Sequence, residues 1–219
     1  MTSAVLFSGG LDSAVLLALE LRDRGATLPI HVRAGLAWEA AEAAAIAALL
    51  ARPPYAGRAL PLRTIAVDMR DVYPPTHWAV EGRPPAYDTP DEDVYLPGRN
   101  ITLIAKAAVL CAGLGIGRLA LGPLAGNPFP DARPAFFVAM AQALSLGLDH
   151  AFEIAAPLSH LHKDGVISLG LELGVPLDLT LSCMNPSGGR HCGRCSKCRE
   201  RVDAFRDAGI PDLTPYAQS

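Results

Sequence analysis

The chain has 219 residues, half of them hydrophobic and 19% charged, with a formal net charge of −3. That length suits a single core, which saturates at about 250 residues, and the apolar share excludes a disordered chain. The acidic balance excludes the basic footprint of a nucleic-acid or anionic-membrane binder and leaves a small molecule as the expected substrate. In chain order, a strand is predicted over Ala4 to Phe7 and a helix over Asp12 to Arg24, then a strand over Pro29 to Val32, a helix over Trp38 to Ala51 and a strand over Leu62 to Val67. After a gap come a helix over Asn100 to Leu114, a strand over Leu119 to Gly122, a helix over Pro134 to Leu146 and a strand over Phe152 to Ala155. This alternation predicts an α/β fold: a five-stranded parallel sheet with helices on both faces.

The opening residues lack the positive n-region and long apolar h-region of a signal peptide, so a cytoplasmic protein is expected. The apolar run Ala40 to Leu50 falls short of the roughly 20 residues of a membrane span and is broken by Glu42, so no membrane contact is expected. Two proline-rich stretches, 69–98 and 122–134, interrupt the pattern. Loops after the carboxyl ends of parallel strands line the ligand crevice, and both stretches are expected there, the first as a segment that closes over substrate.

Ser8, Gly9, Gly10, Leu11, Asp12 and Ser13 lie between the first strand and the first helix, where free backbone N–H groups and the helix dipole converge on an anion. The glycines let the backbone approach a phosphate, Ser8 and Ser13 offer hydroxyls, and Asp12 suits a magnesium ion. The run has neither the Lys-Ser/Thr ending of a Walker loop nor the spaced glycines of a dinucleotide fingerprint.

Four of the five cysteines crowd into the last fifth of the chain: Cys183, Cys192, Cys195 and Cys198, spaced Cys-x8-Cys-x2-Cys-x2-Cys. The spacing, with glycines at 188, 189 and 193 for tight turns, predicts a closed structural zinc site. An iron–sulfur cluster is the rival, although the closing Cys-x3-Cys-Pro of the ferredoxin run is absent. Arg190, Arg194, Lys197, Arg199, Arg201 and Arg206 are expected to balance the thiolate charge and face solvent. Cys111 reads as a core residue.

The run from Ser8 to Ser13 resembles the Ser-Gly-Gly-x-Asp-Ser signature of the PP-loop ATP pyrophosphatases, which implies a Rossmann-like nucleotide fold and cleavage of ATP between its α and β phosphates. Together with Tyr95 to Asn100, Phe129 to Arg133, Lys163 and the Cys183 to Cys198 cluster, in this order, the chain resembles the 7-cyano-7-deazaguanine synthase family. The resemblance implies conversion of 7-carboxy-7-deazaguanine, ammonia and ATP to a nitrile through an adenylate and an amide, with ATP, magnesium and zinc as cofactors, and a homodimer. It implies that Asp12, Lys163 and Arg99 act in catalysis, that Arg99 and Asn100 join the phosphate loop in holding ATP, and that Asp131 and Arg133 contact substrate. Residues 1–180 would form the nucleotide-binding domain and 181–219 the zinc segment.

Departures from the family pattern fall near the expected substrate crevice. Arg33, Ala34, Gly35 and Leu36 replace a Tyr-Gly-Gln run, Ala132 a cysteine, Met184 an aromatic residue, and Pro123 to Asn127 an Asn-Ala-x-Asp stretch. Three alternatives stay open at this level: a relative that adenylates a deazaguanine carboxylate for conjugation to another acceptor such as protein, a tRNA thiolase of the same superfamily, and a nucleotide-responsive zinc module that binds RNA. Net acidity argues against the last.

Overall fold

The computed structural model describes residues 2–217; Met1, Gln218 and Ser219, at the ends of the two expected domains, lie outside the described residues. Five parallel strands form one sheet in the order β3-β2-β1-β4-β5: β1 Ser3–Leu6, β2 Thr27–Arg33, β3 Arg63–Ala66, β4 Arg118–Ala120 and β5 Glu153–Ala155. Val5 lies opposite Pro29, and Ala4 opposite Leu119. The helices between them are α1 Leu11–Arg24, α2 Glu39–Leu50, α3 Trp78–Glu81, α4 Arg99–Gly113 and α5 Pro134–Leu148; α6 Lys163–Glu172 and α7 Ser196–Asp207 follow the last strand.

Period-two geometry sends alternate strand residues to opposite faces, and both faces of the central strands β1 and β2 are covered, whereas the edge strand β3, Arg63–Ala66, is largely exposed. Val5 and Phe7 join α1, α2 and α6 through Leu16, Ile46, Leu49, Val166 and Ile167. Ala4, Leu28 and Ile30 join α4 and α5 through Ile104, Ala107, Cys111 and Phe137. Cys111 is thus a core residue, its thiol pushed up to about 12 by burial. The chain winds outward from β1 through β2 to β3 and then returns to the other side of β1 for β4. That reversal opens a crevice at the carboxyl ends of β1 and β4, where α/β sheets bind ligands.

The expected strands and helices are present with ends shifted by one or two residues. Three features differ from expectation. Residues 69–98, for which the sequence gave no element, contain α3 and a 3-10 turn over Asp91–Val94, and they bury Met69, Tyr73, Ala79 and Leu96 against Ala34, Leu36 and Trp38. Helices α6 and α7 follow β5, where the sequence periodicity gave no assignment. Finally, Arg201 does not face solvent; its side chain is fully buried. It donates to the Thr214 and Thr180 hydroxyls at 2.7 and 2.9 Å, to Ser182 at 3.1 Å and to the Leu177 carbonyl at 2.7 Å, and it stacks over Phe205 at 4.9 Å. A buried guanidinium is tolerated only when its donors are satisfied, and here they tie α7 to the segment leading into Cys183.

Candidate active site

The phosphate loop leaves β1 after Leu6 and enters α1 at Leu11. Gly9 has φ 74°, and a Cβ there would lie 3.1 Å from the Ile46 side chain and 3.2 Å from its backbone nitrogen, so both backbone sign and space select glycine. The two serines brace the loop: Gly10 N–H donates to Ser8 Oγ at 3.3 Å, and Ser13 Oγ donates to the Gly10 carbonyl at 3.0 Å. No side chain caps α1, so its first-turn N–H groups remain available to an anion.

Asp12 and Lys163 meet across the mouth of this loop, Nζ to Oδ2 at 2.7 Å. Lys163 is the first residue of α6 and also pairs with Glu200 of α7 at 2.9 Å, while Glu200 pairs in turn with Lys197. Burial opposes the Lys163 charge, but Asp12 and Glu200 outweigh it and raise its pKa above the ordinary amine range. Burial likewise works against the Glu200 charge, yet the two lysines hold its carboxyl down to about 2. Asp12 Oδ1 is buried without a partner, a free hard-oxygen donor of the kind magnesium takes.

Around these groups lies a cleft with two adjoining lobes. The larger, about 380 Å³, is lined by Asp12, Lys163, Glu200, Met184, Asn127 and Phe129 among others. The smaller, about 290 Å³, runs between the ends of β1, β2 and β4 along Leu6, Ile30, Val32, Leu103 and Leu121. Ser8, Gly10, Asp12, Glu42, Arg99, Gly122, Asn127 and Phe129 border both. Apolar walls beside a phosphate-type loop suit a flat nucleobase and its phosphates. Flat rings frame the larger lobe: Trp38 stacks on Trp78 at 5.8 Å, and Phe129 on Tyr95 at 5.0 Å.

Of the expected residues, the structure brings Ser8, Gly10, Leu11, Asp12, Arg99 and Lys163 to the larger lobe, with Ser13 and Asn100 on the smaller. The Arg99 Nε is buried and unpartnered. Asp131 has a different position: its carboxylate accepts the Asn100 backbone N–H at 3.0 Å, and its carbonyl accepts from Asn100 Nδ2 at 3.1 Å, tying the 122–134 loop to the start of α4. Arg133 is exposed at the start of α5 and does not line the cleft.

Sequence reasoning missed Lys197, Glu200 and Glu42. For Glu42 a signal existed: Glu42, Ile46 and Leu49 share one helix face, so a carboxyl stands on the stripe that packs against the sheet. Burial pushes Glu42 up to about 7, partly opposed by Arg99.

The four cysteines are all buried, and their sulfurs lie within 4.8 Å of one another. Cys195 and Cys198 are 3.5 Å apart, and Cys192 and Cys198 3.9 Å. Four thiolates on one tetrahedral ion at about 2.3 Å stand about 3.8 Å apart, so the donor set and spacing fit a single metal ion. Backbone N–H groups of Asn185 and Cys192 point at Cys183 Sγ at 3.3 and 3.2 Å, as befits a thiolate. This segment is knitted to the cleft: Leu181 N–H donates to the Gly9 carbonyl at 2.9 Å, and Cys183 itself lines the larger lobe.

A family model described as "Queuosine biosynthesis protein QueC" matches residues 2–209. The 7-cyano-7-deazaguanine synthase of Anaeromyxobacter sp. (strain Fw109-5) is 35% identical, with 99% of this chain and 96% of that protein covered. The synthase of Xanthomonas campestris pv. campestris (strain B100) is 34% identical, over 99% and 98% respectively. Among solved structures, a predicted subunit of tRNA methyltransferase from Methanocaldococcus jannaschii aligns with a TM-score of 0.51 at 19% identity, covering 78% of this chain and 75% of that one. A 4-thiouridine synthetase in complex with RNA and bound ATP aligns with a TM-score of 0.51 at 16% identity, covering 95% and 51%. The structural likenesses bear on fold alone.

Proposed function

This chain belongs to the QueC family of queuosine biosynthesis proteins, and on that premise we propose that it converts 7-carboxy-7-deazaguanine and ammonia to 7-cyano-7-deazaguanine using ATP. The observation that carries the reading is the Asp12–Lys163 pair, 2.7 Å long, at the mouth of a glycine-rich loop beside an apolar, ring-framed cleft. A carboxylate is a poor electrophile because its oxygen leaves badly, and transfer of AMP to that oxygen makes it part of a good leaving group.

In this reading the first-turn N–H groups of α1, with Ser8, Gly9, Gly10, Leu11 and Ser13, hold the ATP phosphates. Asp12 would hold a magnesium ion, which would offset phosphate charge. Lys163 and Arg99 stabilise the charge that develops as pyrophosphate departs. Asn100, held by Asp131, fixes the start of α4 so that Arg99 faces the cleft. Residues 1–180 form the nucleotide-binding unit. In 181–219 the four cysteines would hold zinc, which would staple the segment and supply no chemistry at the cleft.

A cytoplasmic homodimer belongs to the same proposal. Its support is α5, an apolar helix at the edge of the sheet that buries Phe137 while Val138 and Leu146 stay exposed. Among the described residues no helix is long and apolar enough to cross a membrane.

The test is mass spectrometry of the purified protein incubated with ATP, magnesium, ammonium and 7-carboxy-7-deazaguanine, following both the deazapurine and AMP. Nitrile with AMP is the expected result. Amide alone, a persistent adenylate or no turnover overturns it and redirects the search to another acceptor for the activated carboxylate.

A further inference from the structure

Four carboxylates line the larger lobe: Asp12, Glu42, Asp91 and Glu200. Three are ion-paired, Asp12 and Glu200 with Lys163 and Asp91 with Arg199 at 3.0 Å. Glu42 alone has no cationic partner within 4.0 Å among the described residues. It sits where the two lobes join, and its Oε1 accepts the Trp38 Nε1–H at 3.2 Å, which orients the group and leaves the second oxygen to the cleft. Trp38 is itself held by its stack on Trp78.

The proposed reaction creates a specific need at that place. The nitrogen enters as ammonia and leaves as a nitrile, which carries no hydrogen, so three protons must be removed while the substrate occupies the cleft. An ion-paired carboxylate is a weak base; an unpaired, part-buried one is a better acceptor. Resting on the function proposed above, we infer that Glu42 is the proton acceptor for the nitrogen at each of these steps.

The steps balance as follows. Ammonia forms a C–N bond to the adenylated carboxyl carbon, the C–O bond to AMP breaks with its electron pair on AMP, and Glu42 takes one proton to leave the neutral amide. The amide oxygen then attacks the α-phosphorus of a second ATP, pyrophosphate leaves, and Glu42 takes the second proton from the resulting iminium nitrogen. Loss of AMP with the last N–H proton, again to Glu42, gives the nitrile. Between steps the carboxyl returns its proton to water. The charged groups facing Glu42 are Arg99 from α4, Glu39 from its own helix and Asp12 across the cleft; burial, the strongest influence on it, keeps it near neutrality and so near the range a general base needs.

The test compares wild type, Glu42→Gln and Glu42→Ala at saturating ATP and ammonium with 7-carboxy-7-deazaguanine varied to give kcat and KM. Expected for wild type is a kcat that rises with pH through an inflection near 7. Glu42→Gln should lose that inflection and fall on the order of 10²-fold, with adenylated species accumulating in acid-quenched samples. Formate should restore Glu42→Ala in proportion to its concentration, which a packing role would not allow. Glu42→Gln turning over within about threefold of wild type at every pH overturns the inference. So does a loss confined to KM for the carboxylate without formate rescue, which makes Glu42 a substrate-binding group. A wild type that makes no nitrile overturns the function proposed above and this inference with it.

Discussion

Asp12 and Lys163 are 151 residues apart in the chain and 2.7 Å apart in space. The serines and glycines of the loop were legible because local backbone geometry demands them, but the lysine's partners were not, since a lone charged residue in sequence reads as solvated surface. Replacing Lys163 with Ala removes a cation proposed to stabilise the departing pyrophosphate. AMP release should fall by about 10²–10³-fold in kcat/KM, measured by single-turnover quench. Glu42 gives a stability prediction. Its carboxyl is raised from 4.5 to about 7 in the fold. Below the unfolded value both states hold the proton and its contribution is complete. As pH rises from there through about 7, the unfolded chain releases the proton first and stability drains away, by at most about 3 kcal/mol at 1.36 kcal/mol per unit. Glu42→Gln should flatten the decline in urea midpoint between pH 5 and pH 8.

At the scale of elements, the strands and α1, α2, α4 and α5 were readable from apolar runs and a 3.6-residue period. Helix α7 was not: it opens on metal-type cysteines, carries charge at most positions, and is helical because Cys198, Arg201, Ala204 and Phe205 pack inward on one face. The 69–98 stretch gave no element for the opposite reason, since its prolines and polar residues hide a small aromatic core built on Trp38 and Tyr73. Because α7 starts within the cysteine cluster and carries Lys197 and Glu200 into the cleft, the cysteine segment and the candidate active site share one helix. With the cysteines holding zinc as proposed, stripping that ion with a chelator should lower the melting temperature by about 6 °C or more, at roughly 2–4 °C per kcal/mol for a chain of this size, and weaken ATP binding in the same samples. Calorimetry and equilibrium titration before and after metal restoration would check both.

For the molecule as a whole, two independent lines converge on the family's fold: a sheet whose switch point lies between β1 and β4, and a family match running almost end to end. The outer face of α5 leaves Val138 and Leu146 exposed, the surface proposed to meet a second copy. If a second copy covers it, light scattering of the purified protein should give twice the 23.0 kDa chain mass, and Leu146→Glu should halve it without lowering the melting temperature by more than about 2 °C.

Asp12, Lys163, Glu200 and Lys197 form a row whose signs alternate and sum to zero. Such a row projects little field beyond the cleft, in contrast to a lysine-rich funnel that draws nucleotides in from a distance. On the function proposed above, capture depends on an exchange of partners at contact range, the phosphate displacing a carboxylate from an ammonium already in place. Interactions at that range are poorly screened by mobile ions. KM for ATP should therefore change less than about threefold between roughly 0.01 M and 0.15 M salt, and a steep rise across that interval would show that long-range attraction, and not exchange, brings the nucleotide in.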